Sequence, residues 1–217
     1  MAGIFWNIKS PAIDEPGGGD WWQYNDTFTG DDGDPVNSTK WNDSGSSPVL
    51  IQDNTAEIHA NDDLGWGYII SNFFISGDFD VQINFELQSP IYNQSSWNHL
   101  FTFHVDSAHY ASGNLNYAGG GQVYTWIGSQ KWSATAGDSN YLGALGTAGA
   151  WRIIRLGSIM TVWAWWEGGG GWQSVLSHSN STADGRIYMR AWSGSTPDQV
   201  IRWNNFWASS ATNIYYP

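Results

Sequence analysis

The stretch GDFDVQINFELQ, residues 77–88, decides the fold class. Phe79, Val81, Ile83, Phe85 and Leu87 alternate with Asp80, Gln82, Asn84 and Glu86, a period of two that suits a strand and no helix face. One face belongs in a core, and the other is polar. Downstream, after the turn-forming SPIYNQSS, comes WNHLFTFHVD (97–106), with Trp97, His99, Phe101, Phe103 and Val105 on one side. The two segments together predict an antiparallel hairpin.

The same alternation predicts further strands at 49–52, 55–60, 67–75, 108–113, 122–127, 149–157, 159–167, 172–178, 185–193 and 198–207. No window keeps a 3.6-residue period for long, 26 glycines punctuate the chain, and nothing repeats at a fixed interval. The expectation is an all-β, two-sheet antiparallel jelly-roll sandwich spanning 21–217. DEPGGGD (14–20) reads as a joint that separates a short extended N-terminal arm, 1–20, in which Ile4, Phe5 and Trp6 form an apolar docking element.

Charge excludes several partners. Twenty acidic residues stand against eight basic ones, with no Lys/Arg cluster, which argues against nucleic acid and against an anionic membrane. No apolar run approaches the ~20 residues of a membrane helix. Cysteine is absent. The first residues lack the basic and apolar regions of an export signal, so the chain is expected to be made in a host cytoplasm, the alternative being an extracellular protein. N-x-S/T sequons at Asn25, Asn37, Asn42, Asn93 and Asn180 are read as chance products of an Asn-, Ser- and Thr-rich chain.

Three segments resemble a known family. DTFTGDDGDPVNSTKW (26–41) is similar to the D-x-F-x-G-x-x-G opening of concanavalin A-like lectin/glucanase sandwich domains. WRIIRLGSIMTVWAWWEGGGGW (151–172) resembles a W-x-R-x-x-R-x-G hairpin in the branch that includes domains appended to β-xylosidases, and GRIYMRAWSGSTPDQVIRWNNFW (185–207) resembles its closing strands. The resemblance covers roughly residues 21–210. It implies two antiparallel sheets and a concave face that often holds sugars, but no single function, since this fold hosts lectins, hydrolases, adhesion modules and viral structural proteins.

The tryptophans of the 151–172 hairpin are the candidate contact surface. Trp151, Ile153 and Arg155 share one face of its first strand, and Arg152, Ile154 and Leu156 share the other, as in a central strand covered on both sides. On the second strand Trp163 and Trp165 oppose Val162, Ala164 and Trp166. One set enters the core, which leaves the other to stack on sugar rings or on a neighbouring subunit. Trp163 and Trp165, with Trp126, Trp132 and Trp97, are the expected glycan or subunit contacts.

Chemistry is harder to find. The glucanases of this fold that act on β-glucans carry their paired carboxylates in an E-x-D-x-E strand motif, and none of Glu15, Glu57, Glu86 and Glu167 begins one. Asp78 and Asp80 imitate it most nearly, but read as solvated residues at the start of a strand. His99 and His104 have opposite parity and so do not share a metal on a regular strand. Calcium is the one ion that the sequence admits, at Asp31, Asp32 and Asp34 of GDDGDP, a weak candidate without EF-hand spacing; no other cofactor is expected.

The expectation is therefore a non-enzymatic virion surface or structural protein, a phage capsid decoration, fibre or adhesion subunit with glycan-binding capacity. Its partners would be copies of itself, other virion proteins or a cell-surface glycan. The alternative is a stand-alone carbohydrate-binding module or lectin.

Overall fold

The computed structural model describes residues 24–60, 66–88, 97–117, 126–132, 137–144, 148–166, 171–193, 199–210 and 213–217, with the backbone alone for 97–99, 115–117, 126–132, 137–144 and a few strand ends. The expected arm with Ile4, Phe5 and Trp6 lies outside these residues.

Two seven-stranded antiparallel sheets form the sandwich, with strands numbered in chain order. Across the first sheet run β1 (Trp41–Asp43), β4 (Trp66–Ser71), β14 (Arg186–Ser193), β7 (Trp97–Asp106), β8 (His109–Tyr117), β9 (Trp126–Trp132) and β10 (Gly137–Ala144). The second holds β13 (Gln173–Ser179), β12 (Ile159–Trp166), β11 (Ala148–Leu156), β6 (Phe79–Leu87), β15 (Gln199–Ser210), β3 (Thr55–Ala60) and β2 (Leu50–Gln52). A small ribbon pairs β16 (Asn213–Tyr215) with β5 (Phe74–Ser76). No α-helix occurs among the described residues. The all-β sandwich expected from the alternation is what forms.

Three local expectations change. The segments 77–88 and 97–106 are not a hairpin: β6 and β7 belong to opposite sheets, and their apolar faces meet across the core, with the Phe79 and Phe103 rings 4.4 Å apart. Alternation shows that each strand has an apolar face, but it does not name the strand that face meets. The strand expected at 67–75 breaks in two because Asn72 leaves the ladder. Its amide donates to the Lys40 carbonyl at 2.7 Å and its side chain to the Ser38 carbonyl at 2.8 Å, which turns Phe73 into the core. Finally, the 122–127 strand is observed as β9 from Trp126 onward, followed by β10, whose GDSNYLGA lacks an apolar alternation.

The core explains the local sequence. Trp41, Trp151 and Trp203 are buried, as are Phe28, Phe73, Phe101, Phe103 and Phe206. The 26–41 loop is drawn in by its own motif: Trp41 Nε1 donates to Asp26 Oδ2 at 2.8 Å, Phe28 N donates to Asp26 Oδ1 at 2.8 Å, and Trp41 packs edge-on against Phe206 at 5.1 Å. Asp53 and Asn54, both at positive φ, close the β2–β3 hairpin with the backbone twist that two-residue turns need. Gly157, at φ 59°, does the same between β11 and β12.

β11 is covered on both sides, as expected. Trp151, Ile153 and Arg155 are buried inward, where Arg155 donates to the Ala183 carbonyl at 2.8 Å and lies over Phe79 and Phe103. Outward, Arg152 Nε donates to Asp80 Oδ1 at 2.8 Å and its Nη2 donates to Oδ2, and both side chains are nearly buried. Asp80 is thus not the solvated residue that the sequence suggested; its charge holds β11 to β6.

Candidate functional site

The first sheet buries Ile69, Phe101, Phe103, Ala111, Ile187 and Met189 on its inner face, so the alternate residues point outward. Register then sets them in rows. Tyr188 lies between Ile70 and Thr102, and Thr102 faces Ser112; Arg190 lies between Tyr68 and Leu100, and Leu100 faces Asn114; His104 lies between Arg186 and Tyr110. All of these except Arg186 and Asn114 line a groove of about 450 Å³ across β4, β14, β7 and β8. Trp66 forms its rim at 46% exposure, whereas Thr102 and Ser112 are buried in its floor. A second hollow, bounded by Trp66, Arg190 and Trp192, adjoins it, so Arg190 and Trp66 stand where the two meet.

The walls combine rings and polar groups. Trp66 and Tyr68 have centroids 5.2 Å apart, and the Arg190 guanidinium lies 5.9 Å from the Trp66 ring. His104 packs on Tyr188 at 4.8 Å and stacks with Tyr110 at 6.4 Å. Burial lowers the His104 pKa from its ordinary value, against the opposing pull of Asp106, so its imidazole is neutral at pH 7. Burial raises the Tyr188 hydroxyl, against Arg186, and keeps it a phenol. Burial also lowers Arg190, with Tyr110 opposing. No carboxylate lines the groove among its described residues; the outward positions of β7 there carry Leu100, Thr102 and His104. Chemically, the groove offers ring faces, phenol and alcohol hydroxyls, a neutral imidazole and a cationic fork.

Two of the tryptophans singled out from the sequence lie elsewhere. Trp163 and Trp165 are half-buried on the outer face of the second sheet, on the far side of the sandwich from the groove, and Trp163 pairs with Arg152. Trp97, Trp126 and Trp132 belong to β7 and β9 of the grooved sheet, and their side chains lie outside the described ones. In the acidic loop the carboxylates of Asp32 and Asp34 accept hydrogen bonds. Asp34 Oδ2 accepts from the Asp31 amide at 3.2 Å, and Asp32 accepts from the Asp53 amide and the Gln52 side chain, each at 2.9 Å. Among the described residues no three His, Asp or Glu side chains are gathered to hold a metal. These carboxylates act as acceptors that tie the loop to the β2–β3 turn.

Sequence reasoning missed Trp66, Tyr68, Tyr110, Tyr188, Arg190 and Trp192. A signal was present in RIYMRAW, where Arg186, Tyr188, Arg190 and Trp192 alternate with Ile187, Met189 and Ala191. Only the strand order β4-β14-β7-β8 turns that polar-aromatic face into a groove.

No family model matches the chain, and neither does any curated protein. Solved structures do match in fold. An immunostimulatory antigen and pseudo β-1,3-glucanase of Mycobacterium tuberculosis superposes with a TM-score of 0.61 at 13% identity, over 85% of this chain and 98% of that one. A β-1,3-glucanase from Mycobacterium marinum gives 0.58 at 14%, over 84% and 97%. The GH43 protein BlXynB of Bacillus licheniformis, as its K247S mutant, gives 0.65 at 9%, over 87% of this chain and 39% of its own length. These neighbours correct the expectation of a non-enzymatic virion protein. The non-enzymatic part of that expectation rested on the missing E-x-D-x-E motif, whereas several proteins that share this architecture are named as a glucanase or a glycoside hydrolase family protein. At these identities the likeness shows the fold alone: a two-sheet antiparallel β-sandwich like those of these neighbours.

Proposed function

We propose that the protein is carbohydrate-active and takes a saccharide chain into the groove of β4, β14, β7 and β8. The observation that carries this reading is the groove itself, on one sheet of a glucanase-type sandwich and walled by Trp66, Tyr68, Tyr110 and Tyr188. Sugar rings offer apolar C–H faces and rims of hydroxyls, which suit aromatic faces flanked by fixed polar groups. Thr102, Ser112, the neutral His104 and the Tyr188 phenol supply such groups on the floor and wall. The adjoining hollow at Trp192 gives an extended chain a continuous path along β14.

Glycoside hydrolysis is the reaction that the names of the fold's neighbours carry, so it is the reaction to assay. Retention on a panel of immobilised oligosaccharides, with release of reducing ends followed in the same wells, tests the reading. Retention that is lost when Trp66 becomes Ala supports it. A folded protein that neither retains nor cleaves any member of a panel spanning glucans, xylans and acidic glycans overturns it.

A further inference from the structure

We propose that Arg190 makes this groove selective for a saccharide that carries a carboxylate, a uronate-type sugar. The inference rests on the saccharide reading and deepens it.

The argument begins with the arginines, all five of which are described. Three are used by the fold. Arg152 is paired with Asp80, Arg202 with Glu57 and Asp53, and Arg155 donates to the carbonyls of Gly77 and Ala183. Arg155 also leaves one buried nitrogen, Nη2, without an acceptor, whereas in Arg186 and Arg190 it is the Nε that is buried with no acceptor among the described residues. Arg186 lies against the Phe74 ring at 4.2 Å, beside the groove rather than in it. Arg190 lines the groove, beside Leu100 and Tyr68 in register and near the Trp66 ring. In a chain with twenty acidic residues, the Arg190 guanidinium meets no carboxylate among the described residues.

Leaving the Nε of a half-buried guanidinium without an acceptor is costly, and the group does not escape by losing its proton at pH 7. The cost is offset when a ligand supplies the missing acceptors. A carboxylate does this with two parallel hydrogen bonds that match the planar fork, and a neutral hydroxyl does not. The aromatic walls fit the same ligand, since Trp66 is positioned to cover a sugar face while the acid group points at Arg190.

The test uses the full chain and four probes: hexamers of galacturonate, glucuronate and mannuronate, the same hexamers with carboxyls reduced to alcohols, a sulfated neutral hexamer, and neutral xylo- and gluco-hexamers. Titration calorimetry is run on wild type, Arg190→Gln and Arg190→Lys, with near-UV circular dichroism to confirm folding. At least one uronate hexamer is expected to bind ten or more times tighter than its reduced counterpart and to weaken with added salt. Arg190→Gln is expected to lose at least tenfold toward the uronate, and at least five times more than it loses toward neutral hexamers, with Arg190→Lys between. Equal binding of acid and reduced forms, unchanged uronate affinity in Arg190→Gln, or equal affinity for the sulfated hexamer overturns the carboxylate assignment while leaving the saccharide reading intact. Absence of binding to every probe by folded wild type overturns both. Should Arg190→Gln fail to fold, the acid-against-reduced comparison on wild type decides.

Discussion

The indole of Trp151 on β11 occupies the space over Gly113 on β8, so close that a β-carbon at position 113 would lie 2.2 Å from the ring. The two residues come from opposite sheets, and the groove residues Tyr110 and Ser112 sit on the strand that Gly113 allows to approach. Gly113→Ala is therefore expected to destabilise the fold by about 1–3 kcal/mol, the cost of overpacking a filled core. Trp151 cannot retreat, because it also faces Phe85 at 6.1 Å. Chemical denaturation of the single variant and of Gly113→Ala/Trp151→Phe checks it; the double variant should recover part of the loss.

Asp80 and Arg152 form a nearly buried two-pronged pair between β6 and β11. Removing one partner strands the other's charge, so Arg152→Met is expected to cost about 3–5 kcal/mol. Replacing both, with Asp80→Leu and Arg152→Met, should cost less than either single change, because no charge is then left unpaired. A double-mutant cycle read by urea unfolding decides.

A titratable ring sits in the groove wall. Because burial depresses the His104 pKa below its unfolded value, the unfolded chain binds the proton first as pH falls. Its contribution is absent above about pH 6.5, and stability falls as pH drops from there toward the folded pKa. Thermal unfolding at pH 7.5 and pH 5 should show a smaller acid-induced fall in His104→Gln than in wild type. The difference between the two proteins isolates this residue from the other histidines and from Asp106.

Two tryptophans separate the groove from the face that the sequence suggested. Trp66→Ala should weaken saccharide retention about three- to tenfold, the scale of a lost stacking contact, and it should leave thermal stability nearly unchanged because the ring is 46% exposed. Trp163→Ala should leave retention unchanged and lower stability, since its half-buried ring lies beside Arg152 on the opposite sheet. Affinity electrophoresis and thermal melts on both variants are sufficient. A reversal of the two results would move the site to the second sheet.

How much of this was legible in advance differs by feature. The strand character of 79–87 and the buried inner face of 151–155 follow from parity, and the structure confirms both. The supposed hairpin of 77–106 failed because adjacency in sequence does not guarantee pairing once strands cross between sheets. Trp163 and Trp165 looked like a binding surface because five tryptophans crowd residues 151–172. Tryptophan density, however, measures apolar area and not concavity. Asp80 looked solvated because its partner Arg152 lies 72 residues away.

The class of structure was legible without coordinates: period-two alternation, frequent glycine turns and the absence of a sustained helical period leave an all-β sandwich. The groove, in contrast, exists only in the folded chain. Tyr68, His104, Tyr110 and Arg190 belong to four strands spread over 123 positions (68–190), and no local pattern joins them. The order β4-β14-β7-β8 brings them to one face, because hydrogen-bonded register aligns residues across strands whatever their separation along the chain.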